Sequence, residues 1–262
     1  MSSNHVTSKD GTTIGFDRLG EGPAVILISG GSVDRTSNAG LATNLASGFT
    51  AFNYDRRGRG DSGDTLPYAI EREVEDIDAV VATAGGSAYL YGSSSGAALG
   101  LIAADALGPD RITRLAMWEP PYFVDASKGP PTDHIQQYDT MIAEGRPGDA
   151  AEYFMSKVVG MPADFVAFAK TQPWWANQVK IAHTLAYDGR IMADYSLPLD
   201  RAGRVSVPAI VLAGGASFPF LPETAKALVQ AFPNGTLQIL EGQSHDVSPD
   251  ALGPALKAFF AS

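Results

Sequence analysis

The sequence predicts an α/β protein with a mostly parallel central sheet, flanked by helices and interrupted by an inserted block of helices. Three observations predict it. Continuous apolar runs such as 24–29, Ala-Val-Ile-Leu-Ile-Ser, read as strands buried on both faces. These runs alternate with segments of helical periodicity, the rhythm of parallel strands joined by crossover helices. The rhythm lapses between 121 and 205 and then resumes, so residues 1–120 and 206–262 are assigned to the core and 121–205 to a helical cap.

Segments 5–8 and 12–18 are short strand-like runs around Lys9-Asp10-Gly11, a hairpin signal. The strand at 24–29 ends in Gly30-Gly31. A short helix at 39–47 is closed by Gly48, and 49–54 is the next strand. The loop after it contains a literal G-x-G-x-x-G at Gly58, Gly60 and Gly63. A dinucleotide fingerprint should open directly into a helix on the first βα unit, whereas this one runs into Asp64-Thr65-Leu66-Pro67, so it reads as a loop scaffold.

Ile70, Val74, Ile77, Val81 and Ala84 form one apolar helix stripe, with Glu71, Arg72, Glu73, Glu75 and Asp76 off it. An apolar run from Tyr89 leads into Gly92-Ser93-Ser94-Ser95-Gly96, and a small-residue helix follows over 97–107. A strand at 112–118 ends in Glu119-Pro120-Pro121. Helices are expected at 133–144, 149–159, 163–170 and 175–192, separated by Pro and Gly. The alternation returns with a strand at 208–213, a helix at 222–232, a strand at 236–240 and a last helix at 250–260.

Composition narrows the function. A chain of 262 residues with 45% hydrophobic content can bury a sizeable core. Its formal charge of −10, without a basic cluster, argues against nucleic acid as a partner. No cysteine is present, so disulfides, thiolate metal sites and a cysteine nucleophile are excluded together. The first ten residues lack an apolar signal core and no run reaches membrane-span length, which points to a soluble, cytoplasmic protein. Asn234-Gly235-Thr236 then reads as a turn rather than a glycan acceptor.

The chemistry centres on Gly92-x-Ser94-x-Gly96. In this motif the serine sits on a strained strand-to-helix turn that tolerates no bulk two residues to either side, so Ser94 is the candidate nucleophile. Of the four histidines, His5 lies in the first strand and His134 and His183 in cap helices. His245 stands in a loop between the last strand and the last helix, where it can approach the carboxyl edge of the sheet as a base for Ser94.

With these residues in order, the chain resembles the α/β-hydrolase fold superfamily over nearly its full length. The resemblance rests on the strand running into Gly30-Gly31, the Asp55-x-Arg57-Gly58-x-Gly60-x-Ser62 loop, the elbow at Ser94, a helical insertion after Glu119-Pro120, and the late His245. It implies an oxyanion hole made by the backbone N–H groups of Gly31 and Ser95. In two places the chain departs from the common pattern. Ser29-Gly30 stands where many members have His-Gly, and Gly214-Gly215-Ala216-Ser217 lacks the aspartate that commonly completes the triad.

A minority of the fold carries the acid after the strand that follows the nucleophile helix. The lactonases that open zearalenone are similar here in this respect, with a Ser-Ser-Gly-Ala elbow and a Glu before Pro. That resemblance implies Glu119, 119 − 94 = 25 residues after Ser94, as the acid. Asp246 is the competitor, although a neighbour in sequence has difficulty reaching the far ring nitrogen of His245.

The expectation is a serine esterase or lactonase without cofactor or metal, acting on a hydrophobic small molecule. Gly30, Tyr122, Trp174, Trp175 and Phe218, with Phe123 and Phe220, are the candidate pocket residues. Two other classes stay open on the same scaffold: cofactor-free haloperoxidation or lyase chemistry, and ligand sensing with weak turnover. Oligomeric state is not legible in the chain.

Overall fold

A computed structural model describes residues 4–262. Its eight strands are β1 (Asn4–Thr7), β2 (Thr13–Leu19), β3 (Ala24–Ile28), β4 (Thr50–Tyr54), β5 (Ala88–Ser93), β6 (Ile112–Trp118), β7 (Ala209–Gly214) and β8 (Gly235–Leu240). They form one sheet in the order β1-β2-β4-β3-β5-β6-β7-β8. The hairpin around Asp10 pairs β1 with β2, and β2 runs antiparallel to β4. From β4 to β8 every pairing is parallel.

Successive residues of a strand face opposite sides of the sheet, and the apolar runs are apolar for that reason. Ile26 and Ile28 of β3 join the larger core cluster, while Val25 and Leu27 join the smaller one. Leu115 and Met117 of β6 divide from Ala116 and Trp118 in the same way. Helices α2 (Ile70–Thr83) and α3 (Ser95–Leu107) bury residues in the larger cluster; α1 (Ala39–Leu45) and α11 (Pro249–Ala261) bury theirs in the smaller.

The innermost helix is α3, which is buried from Ser95 through Ala104 on every side. Its small residues let it lie against the sheet: a Cβ on Gly96 would stand 2.5 Å from the Ser29 carbonyl oxygen. The elbow and the Gly30-Gly31 loop are therefore in backbone contact.

Between β6 and β7 lie α4 (His134–Ala143), α5 (Pro147–Tyr153), α6 (Ala163–Ala169), α7 (Trp175–Lys180), α8 (Leu185–Met192) and α9 (Leu199–Arg204). Tyr138, Ala150, Ala151, Ala182, Leu185 and Ala186 make a small core within this segment. Ile191, Met192, Ala202 and Val205 instead join the main core, so the end of the insertion packs on the body of the protein. After β7 comes α10 (Phe220–Val229). No helix among the described residues is long and apolar enough to cross a membrane.

Three expectations for the insertion are corrected by the structure. The helix expected over 149–159 gives way at Phe154–Val158 to a π-helical turn. The expected 175–192 helix is broken by a 3-10 turn at Ala182–Thr184. A straight helix would hold residues 178 and 188 about 15 Å apart along its axis. The break instead allows Gln178 to reach Ser32 and Asp188 to lie against Gly31, two neighbours in one loop. The third correction is α9, which the sequence reading leaves out.

The apolar stripe on α2 forms, and two of the charged residues off it are buried too. Ile77 and Val81 are buried as expected, but so are Glu73 and Asp76, each only 1% exposed. They face buried arginines. Arg56 binds Glu73 with both ends of its fork, at 2.7 and 2.8 Å, and Arg57 binds Asp76 at 2.8 and 2.7 Å. In the glycine loop, Gly58 and Gly60 both take positive φ, and a side chain on Gly60 would run into Asp55. Those glycines serve the turn.

Candidate active site

Ser94 follows the last residue of β5 with φ 56° and ψ −127°, a backbone conformation costly for any residue but glycine. Its surroundings fix that conformation. The Ser94 N–H donates to the Trp118 carbonyl at 2.8 Å. A side chain on Gly92 would run into the Gly96 carbonyl, and one on Gly30 would stand 3.0 Å from Ser94 Cβ. Glycine at 30, 92 and 96 is thus the condition for turning the serine hydroxyl into the open.

Glu119 follows β6 and also has a left-handed backbone, φ 44°, held by its own N–H on the Leu212 carbonyl at 2.9 Å. That turn points the carboxylate across the end of β7, where it is completely buried. Oε1 accepts the Gly214 N–H at 2.7 Å. Oε2 accepts the Ser217 hydroxyl at 2.9 Å and lies 2.6 Å from His245 Nδ1. Gly214 ends β7, and Ser217 and His245 come from the loops after β7 and β8.

His245 is held at its backbone as well, because its carbonyl accepts the Trp118 indole N–H at 3.0 Å. With Nδ1 engaged by Glu119, the ring has Nε2 left for the cavity. Asp246, the competing acid, also lines that cavity, but the imidazole is bonded to Glu119.

Ser94 and His245 line two adjoining lobes. The wider, of about 380 Å³, is bounded by Leu41, Met155, Met161, Phe165, Trp174 and Val247. The narrower, of about 110 Å³, is bounded by Phe123, Val158, Met192, Tyr195, Phe218 and Phe220. Gly31, Phe154 and Val159 belong to both. The π-helical turn thus lies over the junction of the lobes, beside the serine.

Two backbone donors border the junction without acceptors. As the first residue of α3, Ser95 has an N–H with no intrahelical partner, and the positive end of the helix dipole lies there. The Gly31 N–H meets no acceptor among the described residues. A fixed pair of such donors can accept a developing oxyanion without reorganisation.

Behind these donors lies a network that sequence reading misses. Asp188 of α8 receives Arg56 Nη1 and the Ser95 hydroxyl on Oδ1, at 2.6 and 2.8 Å, and Arg59 Nη2 on Oδ2 at 2.6 Å. Burial opposes its ionisation, but the guanidiniums of Arg59 and Arg56 hold the Asp188 carboxyl below the usual carboxylate range. Burial works against Arg56 too, and the charges of Glu73 and Asp188 more than offset it. Three arginines crowded into one loop are the signal that could have prompted a search for buried counterions.

Of the pocket candidates, the structure brings Gly30, Trp174, Phe218, Phe123 and Phe220 to the cavity. It does not bring Tyr122 or Trp175 there. Tyr122 is buried in the main core, and Trp175 packs on the small core of the insertion. His134 is buried beside Tyr138 and Tyr195, and His183 pairs with Asp64 at 3.4 Å. Among the described residues no group of three or more His, Asp or Glu side chains is arranged to hold a metal ion.

Residues 25–253 match the model of the alpha/beta hydrolase family. The chain belongs to that family. This alpha/beta hydrolase is similar to one from Sphaerobacter thermophilus DSM 20745, at 48% identity and a TM-score of 0.91, covering 98% of this chain and 100% of that one. A thermophilic esterase from Thermogutta terrifontis shares the fold at 19% identity and a TM-score of 0.79, over 100% of this chain and 98% of the other. An uncharacterized hydrolase of Bacillus subtilis (strain 168), YraK, is 33% identical over 103 residues, and the match spans 38% of either protein. The family accounts for the sheet order and the elbow. The placement of Glu119 is read from this hydrolase's own hydrogen bonds.

Proposed function

We propose that this chain is a serine hydrolase that cleaves a carboxylic ester or lactone of a hydrophobic small molecule, with Ser94 as nucleophile, His245 as base and Glu119 as acid. One observation carries the reading. The buried Glu119 carboxylate lies 2.6 Å from His245 Nδ1, and the ring's other nitrogen is left for a cavity that Ser94 also lines.

In this mechanism His245 Nε2 takes the Ser94 hydroxyl proton as Oγ bonds to the carbonyl carbon, and the carbonyl electron pair moves onto oxygen. The N–H groups of Gly31 and Ser95 receive that oxyanion. Glu119 stabilises the imidazolium and does not itself take the proton. As the intermediate collapses, the bond to the alcohol oxygen breaks and the alcohol leaves with the proton from Nε2. Water repeats the sequence on the acyl-enzyme: Nε2 takes its proton, the hydroxide adds, and the acid departs as the proton returns to Ser94. In a lactone the alcohol stays tethered to the acyl chain.

Helices of the 121–205 segment then act as a cap whose apolar side chains select the substrate. The apolar lining of both lobes favours hydrophobic groups on the two sides of the scissile bond. The test is a fluorophosphonate probe followed by mass spectrometry, with a panel of p-nitrophenyl esters and aryl lactones. Labelling of Ser94, lost with Ser94→Ala, and turnover of at least one panel member are expected. A protein that neither labels nor turns over any of them is not a serine hydrolase, and the sensing, haloperoxidase and lyase alternatives take its place.

A further inference from the structure

We propose that Arg59 and Asp188 are positioning residues that aim the Gly31 N–H at the reaction centre; the proposal rests on the reading of Ser94 as nucleophile.

The argument starts from one peptide unit. The Gly30–Gly31 bond is trans. In a trans peptide the C=O and the N–H lie in one plane and point in opposite directions. Arg59 Nη1 donates to the Gly30 carbonyl at 2.5 Å, so the Gly31 N–H is directed away from the guanidinium. It then faces the cavity that Gly31 lines with Ser94. Two successive glycines impose almost no preference of their own, and such a peptide can turn over by paired rotations at little intrinsic cost. The orientation has to be imposed from outside the loop.

Arg59 imposes it because Arg59 is itself immobile. It is 1% exposed, and its other contacts are the Val33 carbonyl at 3.1 Å, Thr184 Oγ1 at 3.1 Å and Asp188 at 2.6 Å. The same Asp188 carboxylate holds the Ser95 hydroxyl at 2.8 Å. One side chain of the inserted segment therefore ties together the residues that supply both oxyanion donors. Asp188 lies close, since a Cβ on Gly31 would be 3.3 Å from its Oδ2. An unpaired carboxylate there would repel an oxyanion. Arg56, Arg59, Glu73 and Asp188, all buried, sum to zero charge, so the clamp holds the donors without bringing a net charge beside them.

The test compares wild type with Arg59→Gln, Arg59→Lys and Ser95→Ala, using p-nitrophenyl butyrate as substrate and an aryl trifluoromethyl ketone as the tetrahedral oxyanion mimic. Circular dichroism and a cooperative melt establish folding. For Arg59→Gln, kcat is expected to fall about 10²-fold, the scale of losing one oxyanion donor, with KM nearly unchanged. The ketone's inhibition constant should rise by a similar factor. Arg59→Lys, which can reach the Gly30 carbonyl or Asp188 but not span both, should recover part of each loss. Ser95→Ala keeps the backbone donor and should show a smaller parallel loss.

A purely structural role predicts lower melting temperatures with kcat and ketone affinity unmoved in the folded variants, and that result overturns the proposal. If Arg59→Gln does not fold, Arg59→Lys and Ser95→Ala decide by the same pair of readouts. Wild type that fails to label at Ser94 removes the hydrolase reading and this proposal with it. Wild type that labels and turns over, beside folded variants that match it, removes this proposal alone.

Discussion

Ser217 donates its hydroxyl to Glu119 Oε2 at 2.9 Å, on the oxygen that also meets His245 Nδ1. At the place where an acid is common in this fold, the chain has a serine that steadies a carboxylate arriving from the neighbouring strand. Glu119→Gln should therefore lower kcat about 10³- to 10⁴-fold, since an amide neither orients the imidazole correctly nor stabilises its charge. The hydrogen bond makes Ser217→Ala more consequential than a bystander substitution. Losing one donor to an ionised group costs about 1.5–3 kcal/mol at most, so a loss of roughly tenfold in kcat is expected. Steady-state kinetics on a p-nitrophenyl ester check both. Equal losses in the two variants would remove Glu119 from its assigned role.

How much of this was legible differs from residue to residue. Ser94 was readable because an elbow needs glycine on both sides, which leaves a local pattern. His245 was readable from its place between the last strand and the last helix. Glu119 needed a resemblance, since a glutamate ending a strand carries no local mark. The clamp around Asp188 was hidden for a physical reason: Arg56 reaches Glu73 17 residues away and Asp188 132 residues away. On α2, Glu73 and Asp76 lie off the apolar stripe as solvent-facing charges do, and only the arginines packed opposite give them a buried role. The π-helical turn at Phe154 was equally unmarked, because 149–159 has ordinary helical periodicity.

The close approach of α3 to the β3 loop predicts an effect on stability. A Cβ on Gly96 would stand 2.5 Å from the Ser29 carbonyl and 2.6 Å from that of Ile28, both fixed backbone atoms. Gly96→Ala must push the helix off the sheet. Overpacking of this kind costs about 1–3 kcal/mol, and the displacement also moves Ser95. Urea unfolding should report the loss, and fluorophosphonate labelling of Ser94 should slow in the same variant. Unchanged labelling would mean that the helix start tolerates the shift.

The hairpin aspartate predicts a pH dependence. Burial opposes ionisation of Asp10, but the hydroxyl and N–H of Thr12 and the Arg57 guanidinium outweigh it and bring its pKa to about 2. An unfolded aspartate titrates near 3.9. Because the folded value is the lower one, the contribution is fully present above the unfolded value and is lost as pH falls through the folded value. Asp10→Asn should therefore be less stable than wild type at neutral pH, by up to about 2 kcal/mol for a pair whose side chains are 12% and 0% exposed. The difference should close between roughly pH 4 and pH 2. Urea titrations at several pH values test it, and a gap that widens in acid would contradict the assignment.

Phe154, placed by the π-helical turn, is one of two side chains of the insertion that the lobes share, with Val159. The narrower lobe of about 110 Å³ accepts only a small apolar group, while the wider one offers about 380 Å³. Truncating Phe154 to alanine removes a wall between them and leaves the serine and histidine in place. A hydrophobic pocket discriminates by about 1–3 kcal/mol per methylene, so the added space should shift preference by tenfold or more. Measured as kcat/KM across p-nitrophenyl esters of increasing acyl length, the profile of Phe154→Ala should move toward longer chains while the rate of Ser94 labelling by a small fluorophosphonate stays near wild type. If the whole profile falls uniformly instead, Phe154 supports the site without setting its size.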